Sequence, residues 1–166
     1  MTGVQTCALP ISDRGDDGAG RAVARRLRGT LPADVAVEES DGEPASLLAL
    51  LEGVESAFLV DACRSGAIAG TVLRFDASST PLPETAFAFS THGLGLGKAI
   101  ELARALNQLP PRAIVYAIEA ESFEPGAQLS SAVAAAVSRA CEQISAELAA
   151  REPQSAAAVA DSRKAS

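Results

Sequence analysis

Two unbroken apolar runs, Ala57-Phe58-Leu59-Val60 and Ala113-Ile114-Val115-Tyr116-Ala117-Ile118, limit the folds open to this chain more than any other feature. A strand with one wetted face alternates apolar and polar residues, whereas a strand covered on both faces has no such alternation. Sheets of that kind are parallel and lie between helices. Helical spacing is present where it is needed, in Ala22 to Leu27, Pro44 to Leu51, Leu96 to Leu106 and Leu129 to Ala150. The expected fold is a three-layer α/β/α sandwich with a mostly parallel, twisted sheet. Val35 to Glu39 supplies another strand, and Phe87 to Phe89 a short one. Gly70 to Phe75 reads as a strand that is antiparallel or at an edge, because the link from Asp61 has no helical pattern.

Residues 12–150 form one expected domain. Residues 1–11 show neither helical nor alternating periodicity, and Pro10 would interrupt a central strand, so this segment is expected to be unrelated or misassigned. Residues 151–166 have no periodicity and read as a disordered tail. A formal charge of -7, from 14 basic and 21 acidic residues, repels phosphate backbones and anionic lipid. Nucleic acid and membrane are thus not expected as partners. Cys7, Cys63 and Cys141 are too few and too scattered for a disulfide framework, which fits a soluble protein of the reducing cytoplasm.

Chemistry concentrates where strands and loops give way to the next element. His92, the single histidine, sits between Phe87-Ala88-Phe89 and a helix. In an open α/β sheet that junction lies at the carboxyl edge, where ligands bind. Capping of the helix by His92 is the competing explanation. Asp61 ends a buried strand, where an unpartnered carboxylate costs several kcal/mol. Asp16 and Asp17 stand at a helix N-terminus, where one acid suffices for capping. Two carboxylates and an imidazole, Asp17, Asp61 and His92, would suit a borderline divalent cation such as nickel or zinc. The main rival is a Cys63 nucleophile near His92. A serine nucleophile lacks its G-x-S-x-G elbow, and Gly93-Leu94-Gly95-Leu96-Gly97 is not G-x-G-x-x-G.

Taken together, Asp13-Arg14-Gly15-Asp16-Asp17-Gly18-Ala19-Gly20, Val60-Asp61-Ala62 with Ser65-Gly66, Ser90-Thr91-His92-Gly93-Leu94, and Ile118-Glu119 followed by Pro125-Gly126 and Leu129-Ser130 resemble the hydrogenase maturation proteases. The resemblance implies a cytoplasmic endopeptidase that removes the C-terminal extension of the large subunit of a nickel-iron hydrogenase after nickel insertion. It also implies that Asp17, Asp61 and His92 are both the metal-contacting and the catalytic positions, with nickel supplied by the substrate and the large-subunit precursor as partner. Asp16 would hold its turn. A nickel-sensing or chaperone-like module binding the same subunit without cutting it is the alternative. In one respect the chain departs from the family: the apolar first strand and its G-x-G-N turn are missing, as if replaced by unrelated sequence in residues 1–11.

Overall fold

A computed structural model describes residues 2–7, 15–40, 43–83 and 95–150. Among these residues the sheet has five strands, β1 (Thr2–Cys7), β2 (Val35–Ser40), β3 (Ser56–Cys63), β4 (Val72–Asp76) and β5 (Arg112–Glu119), in the order β2-β1-β3-β5-β4. Of these described strands only β4 runs antiparallel, beside β5. The helices are α1 (Ala19–Leu27), α2 (Pro44–Leu51), α3 (Gly95–Ala105) and α4 (Ser131–Ala149). None of them is long and apolar enough to cross a membrane. The expected strand at Phe87 to Phe89 and the tail 151–166 lie outside the described residues, as does His92.

Alternation along the two central strands builds a core on each side of the sheet. Phe58 and Val60 of β3, with Ile114, Tyr116 and Ile118 of β5, point one way and pack against α1 and α4. Ala57, Leu59, Ala113 and Val115 point the other way, against α2 and α3. Full burial of each large side chain contributes about 1.5–3 kcal/mol, so neither strand could be uncovered without unfolding the domain. The helices present matching stripes. Val23 and Leu27 of α1 lie one turn apart, and Val133, Val137, Ala140, Ile144 and Leu148 of α4 recur at helical spacing. Starts and stops follow from local chemistry. Pro44 opens α2 where no amide donor is needed, and the Ser130 hydroxyl accepts the Val133 N–H at 3.3 Å to cap α4.

Two features of the sheet go beyond local pattern. Residues 1–11 carry neither helical nor alternating periodicity, and within them Thr2–Cys7 runs parallel to β2 and β3 and between them. The physical reason is non-local. β2 and β3 do not pair with each other, so their facing edges leave ladder groups that any short extended segment lacking proline can satisfy. Pro10 comes after the strand and does not interrupt it. An expectation that does require correction concerns β3, which continues past Asp61 to Cys63, pairing Asp61 with Ala117 and Cys63 with Glu119. Asp61 is therefore held inside the ladder instead of in a loop beyond it.

Strand register also creates an opening. β1 pairs with β2 as far as Cys7 but with β3 only over Thr2 to Val4, which match Ser56 to Phe58. Beyond Phe58 the two strands diverge. Because the chain steps from β1 outward to β2 and then returns to β3 on the other side, this is the topological switch point, where such sheets carry ligands.

Candidate active site at the switch point

A single 3-10 turn, Gly15–Gly18, leads into α1 and carries Asp16 and Asp17. Asp16 is 1% exposed and is fully used by the backbone. One of its oxygens accepts the Glu121 and Ser122 N–H groups at 2.8 and 3.1 Å, and the other accepts the Ser130 N–H at 2.7 Å. Two backbone bonds complete the tie, from Gly15 N–H to the Ala127 carbonyl and from Asp16 N–H to that of Ser122, both 3.0 Å. Gly15 has φ of 59°, and a Cβ there would stand 2.9 Å from the Ser122 carbonyl oxygen, so glycine is needed. The Asp16 carboxylate thus locks the turn to the segment between β5 and α4, as its expected role requires.

Holding Asp16 in this way aims its neighbour. Asp17 is close enough to Asp61 for its negative charge to act on it. Burial, and then the charge of Asp17, push the Asp61 carboxyl up to about 8, while the Ala62 N–H donated to its Oδ1 at 2.9 Å pulls the other way. At neutral pH this carboxyl therefore carries a proton. A cation placed between the two acids would displace that proton and replace repulsion with attraction. Among the described residues, no group of three or more His, Cys, Asp or Glu side chains could hold a metal ion. The third expected position, His92, lies outside the described residues, so the set has two described members, Asp17 and Asp61.

Cys63 is differently disposed. Its thiol is buried and donates to the Glu119 carboxylate at 3.3 Å. Burial, followed by the hydrogen bond and charge of Glu119, pushes the thiol well above its ordinary range. A thiol that must stay protonated is a poor nucleophile, which removes the physical basis of the Cys63 reading.

Sequence reasoning on single residues passed over Glu119. It is buried at the end of β5, and one oxygen or both accept the Ser65 N–H, the Ser65 hydroxyl at 2.7 Å and the Gly66 N–H at 2.9 Å. Burial alone would raise its pKa, but these donors outweigh that and hold it below the usual carboxylate range. The signal that exposed Asp61 was present here as well: a carboxylate ending an unbroken apolar run, Ala113 to Ile118.

Comparison with known proteins follows the same lines. Residues 23–147 match the family model described as hydrogenase maturation protease. No curated protein matches the sequence. Among solved structures, the chain is similar to the hydrogenase maturating endopeptidase HybD from E. coli, with 22% identity and a TM-score of 0.73 over 89% of this chain and 92% of that one. A NiFe hydrogenase maturation protease, HycI from Thermococcus kodakarensis, is 26% identical with a TM-score of 0.65, over 89% and 92% of the two chains. The endopeptidase HycI from Escherichia coli is 21% identical with a TM-score of 0.67, over 88% and 90%. With the family model spanning most of the domain and the same fold in these peptidases, the chain belongs to the hydrogenase maturation protease family.

Proposed function

We infer that this protein is a cytoplasmic endopeptidase that removes the C-terminal extension of the large subunit of a nickel-iron hydrogenase once nickel has been inserted. The observation that carries the reading is the Asp17 and Asp61 pair near the point where β1 and β3 diverge, two carboxyl groups close enough that burial and the charge of Asp17 keep a proton on Asp61. Two such groups gain most from a cation arriving with the substrate. Asp17, Asp61 and His92 then complete the coordination of the precursor's nickel, and Asp61 gives up its proton as the ion enters. The nickel serves as the recognition signal and fixes the scissile peptide, polarising its carbonyl or a bound water. Water oxygen adds to the carbonyl carbon, the C–N bond breaks, and the leaving nitrogen takes a proton. Cys63 has no part in this, since its thiol is engaged by Glu119.

The test incubates the purified protein with nickel-loaded and nickel-free precursor and follows shortening of the subunit. Shortening only of the nickel-loaded form is expected, with loss of cleavage but not of fold in His92→Ala and Asp61→Asn. Retained cleavage by either variant overturns the ligand assignment. Binding without shortening by the unaltered protein would make it a nickel-sensing or chaperone-like module instead.

A further inference from the structure

Glu119 is a buried carboxylate that the proposed cleavage does not use, and burying a charge is costly. Among the described residues every partner of its oxygens is neutral: the Ser65 N–H and hydroxyl, the Gly66 N–H and the Cys63 thiol. All of them come from the four residues that follow Ala62. A carboxylate offers two oxygens with about four acceptor sites, more than any neutral side chain of its size, and here they converge on the end of β3.

That end is where Asp61 needs support. Beyond Phe58, β3 has β5 as its one described neighbour, so the stretch carrying Asp61 is paired along a single edge. Strand ends held on one side open most readily. Opening would carry the carboxyl away, because its Oδ1 accepts the N–H of the very next residue, Ala62, at 2.9 Å, and its orientation therefore follows the backbone there. Glu119 closes the ladder just past this point. It pairs with Cys63 in register, its side chain holds Cys63, Ser65 and Gly66, and the following Ala120 N–H donates to the Cys63 carbonyl at 2.9 Å. Asp61 and Cys63, two apart on the strand, share a face, and the charges of both Asp61 and Glu119 act on the Cys63 thiol.

We propose that Glu119 is a positioning residue: by pinning residues 63–66 to the end of β5, it holds the Asp61 carboxyl where the incoming cation meets it. The inference rests on the endopeptidase reading, which gives Asp61 its work. Groups that act on a reacting centre must be held within about 0.5 Å, and a misplacement of about 1 Å can cost roughly a hundredfold in rate. Glu119 supplies that precision through hydrogen bonds and exchanges no proton with substrate.

Two measurements on the full chain test this: amide hydrogen exchange along β3, and the rate of shortening of nickel-loaded precursor per folded molecule. Glu119→Ala leaves the Ser65 and Gly66 N–H groups without their acceptor. Exchange at Asp61 to Cys63 should rise at least about tenfold more than at Ala57 to Leu59, and shortening should slow about tenfold or more. Glu119→Gln keeps one oxygen for the two N–H groups and should restore both readouts to within about threefold of the unaltered protein. Should Glu119→Ala fail to fold, Ser65→Ala removes the 2.7 Å hydroxyl bond alone and should give the same pattern at about threefold. A uniform rise along β3 marks a purely structural group and overturns the proposal, as does a Glu119→Gln protein that is as impaired as Glu119→Ala. If the unaltered protein shortens the precursor and folded Glu119→Ala does so equally fast, the positioning role fails and the endopeptidase reading stands. If exchange rises only around Asp61 but the unaltered protein shortens nothing, the hold on Asp61 stands and the endopeptidase reading fails.

Discussion

Replacing Asp16 with alanine should be costly, and the size of the effect follows from its contacts. The substitution leaves the N–H groups of Glu121, Ser122 and Ser130 without acceptors at a site that is 1% exposed. Each buried, unmatched donor costs about 1–3 kcal/mol. Three such donors amount to about 3–9 kcal/mol, part of which is offset because the desolvation cost of the carboxylate is removed with it. A loss of about 3–5 kcal/mol is therefore expected, a large share of the roughly 5–15 kcal/mol that holds a domain together. Asp16→Asn keeps one acceptor oxygen but turns an amide NH2 toward at least one N–H, so its loss should be intermediate. Urea unfolding measures both, and the midpoint should fall without a change in slope. Because Asp16 holds a turn and does not transfer protons, the folded fraction of Asp16→Asn should still process precursor. A midpoint for Asp16→Ala equivalent to less than about 0.5 kcal/mol of change, the range of an ordinary surface substitution, would refute the reasoning.

Other consequences are equally direct. Hydrogen bonds from Arg74, aided by Tyr116 and Arg112, hold the Glu147 carboxylate down to about 2, against an ordinary 4.5. Its folded value lies below its unfolded one, so its contribution is complete above about pH 4.5 and is lost as pH falls toward 2. Glu147→Gln should thus lower stability by about 1–2 kcal/mol at pH 7, and urea titrations across that window should show the gap closing; a gap independent of pH is the contrary result. For Asp61 the sign is opposite. The folded state keeps its proton up to about pH 8 while the unfolded chain loses it near 3.8, so stability falls as pH rises between those values. Asp61→Asn should flatten that slope and be the more stable protein at pH 8, and an unchanged slope would contradict the assigned cause. Gly70 has φ of 80°, and a Cβ there would stand 2.6 Å from the Ala132 carbonyl oxygen; Gly66, at φ of 89°, has open space around it. In thermal unfolding Gly70→Ala should be worse than Gly66→Ala, whose cost is conformational and about 1 kcal/mol.

What could be read from the sequence was whatever local pattern decides. The runs ending at Val60 and Ile118 marked the two doubly covered strands, Pro44 marked the start of α2, and the missing helical spacing after Asp61 marked β4 as an antiparallel edge. Asp16 was readable because one acid is enough to cap a turn and two were present. Where pairing across the sheet decides, the sequence was mute. Nothing within Thr2–Cys7 announces a strand; the unmet edges of β2 and β3 recruit it. Likewise the ladder with β5 carries β3 beyond Asp61. The approach of Asp17 to Asp61, 44 residues away along the chain, depends on β1 and β3 meeting at the switch point. Glu119 carried the same local signal as Asp61, a carboxylate ending an apolar run, but its anchoring role was not legible because its partners, Ser65 and Gly66, come from a segment more than 50 residues earlier.

Placing β1 between β2 and β3 makes a keystone of six residues. Among the described strands β2 pairs with β1 alone, so removing Thr2–Cys7 would cut the described sheet in two. The orphaned β2 would have no partner, and the bared flank of β3 would be free to pair with neighbouring molecules. A shortened product would then clump during synthesis before any question of peptide cleavage arose.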